Sequence, residues 1–159
     1  MAGGRASGGF TLVELVTVMI LIGILAVVAL PNLNQAQGFD ATAFRDRVAA
    51  SLRFAQKSAV AKRRMVCATI PADGLSLTLT AAAAFGAGAC ANAMTGPDGA
   101  NPAAASPGAA VTLTPATTLH FQPSGAVTSD AAGANVANFV LTVTGQAPIT
   151  VTGATGHVQ

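Results

Sequence analysis

The sequence predicts an α+β protein in which a long N-terminal helix packs against a C-terminal antiparallel β-sheet domain. Three observations lead to this fold class. Residues 10–30 form one apolar run, residues 39–60 repeat apolar side chains at three- and four-residue steps, and short segments after residue 65 alternate apolar residues with Ser or Thr. At 159 residues the chain has room for one domain and an anchor. The first half of the helix is therefore expected to lie in a membrane.

The apolar run is long enough to cross a bilayer. Its twenty-one residues, at about 1.5 Å per residue, span roughly 30 Å of hydrocarbon. A secretory signal has a shorter apolar core followed by a small-residue cleavage site, whereas this run ends at Leu30-Pro31 without one. We therefore expect residues 10–30 to remain as a transmembrane and filament-core helix, and residues 1–9 to be a leader that is removed.

The segment GFTLVEL at residues 9–15 resembles the cleavage and methylation site of type IV prepilins and type II secretion pseudopilins. The resemblance implies a pilin-like fold, and a prepilin peptidase that cuts between Gly9 and Phe10 and methylates the new amine of Phe10. Arg5 in the leader fits the positive-inside tendency. We therefore expect a single-pass inner-membrane protein whose C-terminal domain is periplasmic.

Glu14 is a carboxylate within the apolar run, and a charge at that depth usually marks a functional contact. The nearby cation that cleavage would create is the amine of Phe10. In pilin-like filaments this pairing runs between neighbouring subunits, so the resemblance implies that Glu14 is the subunit-docking group. The alternative is a glutamate that snorkels to the interface of a plain signal anchor.

Residues 31–65 are expected to continue the helix as an amphipathic segment after a kink at Pro31. Seven of the eight basic residues lie between Arg45 and Arg64. They form either a DNA-binding face or a solvated helix face whose last cations complement the helix dipole. The sequence favours the solvated face, because no aromatic residue interleaves the cluster on its exposed face to stack on bases.

Three segments narrow the resemblance to the GspH/FimT family. The helix carries a Leu-x-x-Ala-(Arg/Gln)-x-x-Ala pattern, residues 121–125 are similar to an F-x-P-x-G turn, and residues 155–158 are similar to a terminal T-G-R-V/I segment. The residues that carry the helical pattern are Leu52, Ala55, Gln56, Ala59, Arg63 and Val66. The DNA-binding members use arginines in the terminal segment. His157 stands there instead, which disfavours a nucleic-acid partner.

Residues 66–159 are expected to form a periplasmic β-rich head. Alternating apolar and polar residues predict half-buried antiparallel strands, and their bounds are residues 66–70, 75–80, 111–114, 118–122, 139–144 and 149–152. Residues 81–110 are mostly Ala, Gly and Pro, which predicts a long surface loop held at Cys90. In an oxidising compartment Cys67 and Cys90 would form one disulfide; two free thiols are the alternative.

Neither a catalytic site nor a metal or cofactor site is expected. Ser124 lies in a Pro-Ser-Gly turn rather than a nucleophile elbow, and His120 and His157 have no ligand-like spacing. The carboxylates are few and scattered, so no acid–base pair is visible.

The resemblance implies a minor pseudopilin of the type II secretion system. Its expected partners are other pilins or pseudopilins in a filament, the prepilin peptidase, the inner-membrane assembly platform and the membrane. The alternatives are a minor pilin for type IV pilus assembly, a DNA receptor for transformation, and an unassembled signal-anchored domain.

Overall fold

The computed structural model describes residues 11–159, and it describes side chains for residues 11–25 and 39–159. Several expectations therefore lie outside the described residues: the leader at residues 1–9, the cleavage site at Gly9 and Phe10, part of the span predicted at residues 10–30, and the side chain of Pro31. The chain divides into two compact units, Met1–Gly38 and Phe39–Gln159.

One helix, α1, runs from Leu12 to Lys62 over 51 residues. At its start, the backbone N–H of Glu14 donates to Oγ1 of Thr11 at 3.3 Å, which is the geometry of an N-cap. At its end, the N–H of Arg63 donates to the Val60 carbonyl and that of Arg64 to the Ala59 carbonyl. These two bonds form a Schellman motif. Within the described part of the chain, no helical stretch is both long and apolar enough to cross a membrane.

The carboxyl-terminal half of α1 buries one apolar stripe. Its members recur at three- and four-residue steps and are at most 5% exposed: Ala41, Phe44, Val48, Leu52, Ala55 and Ala59. Phe39 and Val60, which the sequence places in this stripe, are instead 75% and 47% exposed. Phe39 lies roughly 140° around the helix from Phe44, at about 100° per residue, so it points away from the buried face.

Nine strands follow in the described residues, and each pairs with its neighbours in antiparallel fashion. They are β1 (Val66–Ile70), β2 (Ser76–Ala82), β3 (Cys90–Met94), β4 (Ala104–Ala105), β5 (Leu113–Thr114), β6 (Thr117–Phe121), β7 (Val127–Thr128), β8 (Phe139–Val143) and β9 (Ile149–Val151). One sheet has the order β3-β2-β1-β6-β7 with β4 paired to β2, and the other has the order β5-β8-β9. The helix followed by antiparallel sheets is the α+β architecture that the sequence predicts.

Both sheets bury apolar side chains against the stripe of α1 in one core. Leu119 and Phe121 from β6 and Ile149 and Val151 from β9 are at most 1% exposed. A smaller cluster of Met65, Cys67 and Ala82 adds to the buried surface of the head.

Residues 81–110 differ from the surface loop that the sequence predicts. They contain the end of β2 and all of β3 and β4, and Ala103 and Ala104 are 2% exposed in the core. Ser51 of α1, which is fully buried, donates its hydroxyl to the Ala103 carbonyl at 3.1 Å. Alanine fits both a buried and an exposed face, so the strands leave no alternating pattern in the sequence.

Candidate functional site

The amino-terminal part of α1 presents an unpartnered apolar surface. Eleven large apolar side chains between Leu12 and Leu25 are 44% to 78% exposed in the isolated chain. Thr17 donates its hydroxyl to the Glu14 carbonyl at 2.9 Å, so the hydroxyl has a partner without leaving the helix surface. A helix that is apolar all round normally requires cover from lipid or protein.

Glu14 occupies the third position of this helix. Thr11 and Glu14 stand three residues apart in the order Ser/Thr-x-x-Glu, which is the sequence signature of a capping box, and the threonine half of the box is formed. The Glu14 carboxylate makes no hydrogen bond or ion pair with any residue that the structure describes. It is therefore available to a partner from outside the described chain.

The capping role of Thr11 was not predicted from the sequence, because Glu14 was considered only as a charge buried in the membrane. The capping-box spacing was the signal that could have found it. A carboxylate in the first turn is also stabilised by the positive end of the helix dipole. Thr11 thus fixes the turn that carries Glu14.

A set of polar side chains on α1 donates hydrogen bonds to backbone carbonyls near the end of the chain. Arg53 Nε donates to the Val158 carbonyl at 3.2 Å, and Gln56 Nε2 donates to the Thr155 carbonyl at 2.8 Å. Arg45 Nε donates to the Ala147 carbonyl at 2.9 Å, and its Nη1 pairs with Asp46. Arg45 and Arg53 therefore bind the head, whereas the sequence favours a helix face on which all the basic side chains are solvated.

The three segments that carry the narrower resemblance meet in space. Gly156 takes φ +65°, and a Cβ placed there would overlap the Gly125 carbonyl oxygen and lie 2.9 Å from Gln56 Nε2. The helix, the turn at residues 121–125 and the terminal segment at residues 155–158 are thus packed around one glycine. Val158 forms a bridge with Val151, and Thr150 and Gln159 exchange backbone hydrogen bonds, so the terminal segment also extends the sheet at β9.

The structure contains a disulfide between Cys67 of β1 and Cys90 of β3, with Cα atoms 6.1 Å apart. β2 lies between these two strands in the sheet. The bond therefore holds the edge strand and the preceding loop, which contains Phe85, against the sheet.

The remaining candidate residues do not form a chemical site. His157 is exposed, and His120 is half-buried on β6 with Nδ1 unpartnered among the described residues. Ser124 is exposed, and its hydroxyl accepts a hydrogen bond from the Ala126 N–H within its own turn. No group of three or more His, Cys, Asp or Glu residues within the described chain is placed to hold a metal ion.

Residues 4–30 match the family described as the prokaryotic N-terminal methylation motif. Searches of curated proteins and of solved structures found no match. The matched motif supports a type IV pilin-like protein of the prepilin type, which is anchored in a membrane and processed at its amino terminus. It favours a structural subunit over an enzyme.

Proposed function

We propose that the chain is a minor pseudopilin of the type II secretion system, with a head of the GspH/FimT type. In this function a prepilin peptidase cleaves between Gly9 and Phe10 and methylates Phe10, and residues 10–30 span the inner membrane before entering the filament. The observation that carries the proposal is the methylation motif at residues 4–30, together with the exposed apolar side chains that the described residues of α1 show between Leu12 and Leu25.

Glu14 is the proposed docking group of this subunit. Its carboxylate is unpartnered among the described residues, and the cap at Thr11 fixes the first turn of the helix that carries it. An unpaired carboxylate in hydrocarbon is costly, whereas pairing with the amine of Phe10 from a neighbouring subunit would remove that cost. The pairing therefore favours one register between neighbouring helices.

The head supports a minor-subunit function through the convergence at Gly156. The residues that resemble the GspH/FimT pattern are far apart in sequence, yet Gln56, Gly125 and Gly156 pack together. Shared packing of the matching segments is what a common head architecture would require. The alternative, a minor pilin that primes type IV pilus assembly, has the same anchor and is separated by experiment.

DNA uptake is a weaker candidate function for this head. Arg45 and Arg53 each donate through Nε to a backbone carbonyl of the head, so part of their hydrogen-bonding capacity is already used within the chain. The terminal segment presents His157 rather than an arginine.

Deletion of the gene tests the proposal when protein secretion and twitching motility are measured in the same strain. The pseudopilin function predicts loss of protein secretion with normal twitching, and restoration of secretion by the intact gene. Loss of twitching with normal secretion would assign the chain to pilus assembly instead. Normal secretion and normal twitching would contradict both functions.

A further inference from the structure

We propose that the C-terminal end of α1 and the loop after β2 form a docking surface for an acidic peptide segment of a partner protein. Lys62, Arg63, Arg64 and Phe85 line one cavity of about 490 Å³, and we call these four residues the basic corner. The proposal goes beyond filament assembly and does not depend on it.

The side chains of the three cations in the basic corner have no bonding partner among the described residues. All are exposed, and none makes an ion pair or a side-chain hydrogen bond with a residue that the structure describes. Backbone N–H groups already satisfy the carbonyls of Ala59 and Val60 at the helix end, so these side chains are not needed to cap those two carbonyls. Arg45 and Arg53 on the same helix differ from these cations, because both donate hydrogen bonds to carbonyls of the head.

Arg63 occupies a backbone conformation that normally selects glycine. Its φ is +50°, and it is the one non-glycine residue with positive φ in the described part of the chain. A glycine at this position of a Schellman motif would avoid the steric cost of a Cβ. A strained conformation at a residue that lines a cavity points to a use for its side chain.

Phe85 supplies an apolar contact beside the cations. Its side chain is 76% exposed, and it also lines a second cavity of about 270 Å³ together with Met65, Gln122 and Pro123. The disulfide of Cys90 and the packing of Ala87 on the Met65 cluster hold this loop against the sheet. A pocket for an apolar side chain therefore lies next to the cationic one.

This combination fits a short acidic peptide better than a nucleic acid. Guanidinium groups pair with carboxylates through two parallel hydrogen bonds, and clusters of arginine commonly recognise acidic motifs. Three adjacent cations would neutralise about three phosphates, fewer than the roughly six to ten contacts of a typical DNA-binding protein. One exposed aromatic residue also offers only one platform for base stacking.

The test uses the full chain in detergent micelles and a fluorescent peptide of sequence EDFEDL, with QNFQNL as the uncharged probe. Arg64→Gln and Arg63→Gly should each weaken binding of EDFEDL about tenfold, the cost of a lost charge-assisted hydrogen bond. Lys57→Gln is the matched control, because Lys57 is an exposed cation of the same helix that does not line the cavity. It should change the affinity by less than about twofold.

Arg63→Gly separates docking from folding, because relief of the positive φ should raise the thermal midpoint while binding weakens. Four results would overturn the proposal. They are no binding of EDFEDL, equal binding of QNFQNL, an equal loss of affinity in the Lys57 variant, and tighter binding of a single-stranded oligonucleotide than of the peptide.

Discussion

At the scale of single residues, Gly156 is a position of the head that favours glycine for two reasons. It combines a positive φ with backbone and side-chain atoms that leave no room for a Cβ. Gly156→Ala should therefore lower the free energy of unfolding by about 3 kcal/mol, from backbone strain and overpacking together. Hydrogen exchange of the amides in β9 and the terminal segment should accelerate accordingly.

Gly145→Ala is the matched control for this prediction. Gly145 has φ +72° but open space where the Cβ would lie, so the variant should cost only the backbone term of about 1 kcal/mol. Equal destabilisation by the two substitutions would show that the packing around Gly156 contributes nothing.

The stability of the head depends on the ionisation of Asp130. The backbone N–H groups of Ala134 and Asn135 donate to its carboxylate at 3.0 and 2.6 Å, and they hold the pKa of Asp130 below its usual range. A lowered folded-state pKa stabilises the head above the unfolded value of about 3.9, and this contribution is lost as the pH falls through the lowered pKa.

Asp130→Asn should therefore increase hydrogen exchange in residues 127–136 at pH 7, and the difference from the wild type should shrink as the pH falls below about 4. A difference that stays constant from neutral to acid pH would show that the carboxylate charge is not the cause.

At the scale of elements, strands with alternating residues were predictable and strands of small residues were not. β1 has the predicted bounds, and β6 and β8 differ from them by one residue. In β6 the apolar Leu119 and Phe121 flank His120, and in β8 the buried Leu141 and Val143 flank an exposed threonine. β3 and β4 were missed, since Ala and Asn side chains do not distinguish a core face from a solvent face. Backbone pairing with β2 and the contact of Ser51 with Ala103 position them.

The disulfide should matter most for β3, the edge strand of its sheet. Cys67 and Cys90 are separated by 23 residues, and a closed loop of this size contributes about 3 kcal/mol in the chain-entropy model. The double variant Cys67→Ala/Cys90→Ala should lose that stability, with faster exchange in residues 83–94 than in β6. Uniform acceleration across both sheets would argue against a local tether.

The polar face of α1 illustrates the limit of reading a helix from its own sequence. The charge pattern indicated a solvated surface. The apolar stripe from Phe44 to Ala59 was predicted correctly, whereas Ala43, which was also placed in it, is exposed. Which cations bind the head could not be predicted, because Arg53 and Val158 meet only after the terminal segment pairs with β9. Such a contact depends on long-range topology rather than on local spacing.

At the scale of the whole molecule, the two units differ in how far they bury their apolar side chains. The head buries its own core, whereas the helix of the amino-terminal unit exposes its apolar side chains from Leu12 to Leu25. Burial of these side chains by lipid or by other subunits would remove that apolar surface from water. The motif at residues 4–30 agrees with assembly into a filament. Pairing of Glu14 with the amine of a neighbouring subunit would then set the register between adjacent helices.

The central claim is tested most directly by incorporation of a Glu14→Gln variant into filaments. The substitution keeps the size of the side chain and removes its charge. We therefore expect the variant to insert normally into the membrane but not to co-purify with sheared filaments. Asp40→Asn is the control, because Asp40 is an exposed carboxylate of the same helix outside the apolar segment, and it should incorporate normally. Incorporation of the Glu14 variant at the wild-type level would contradict the account.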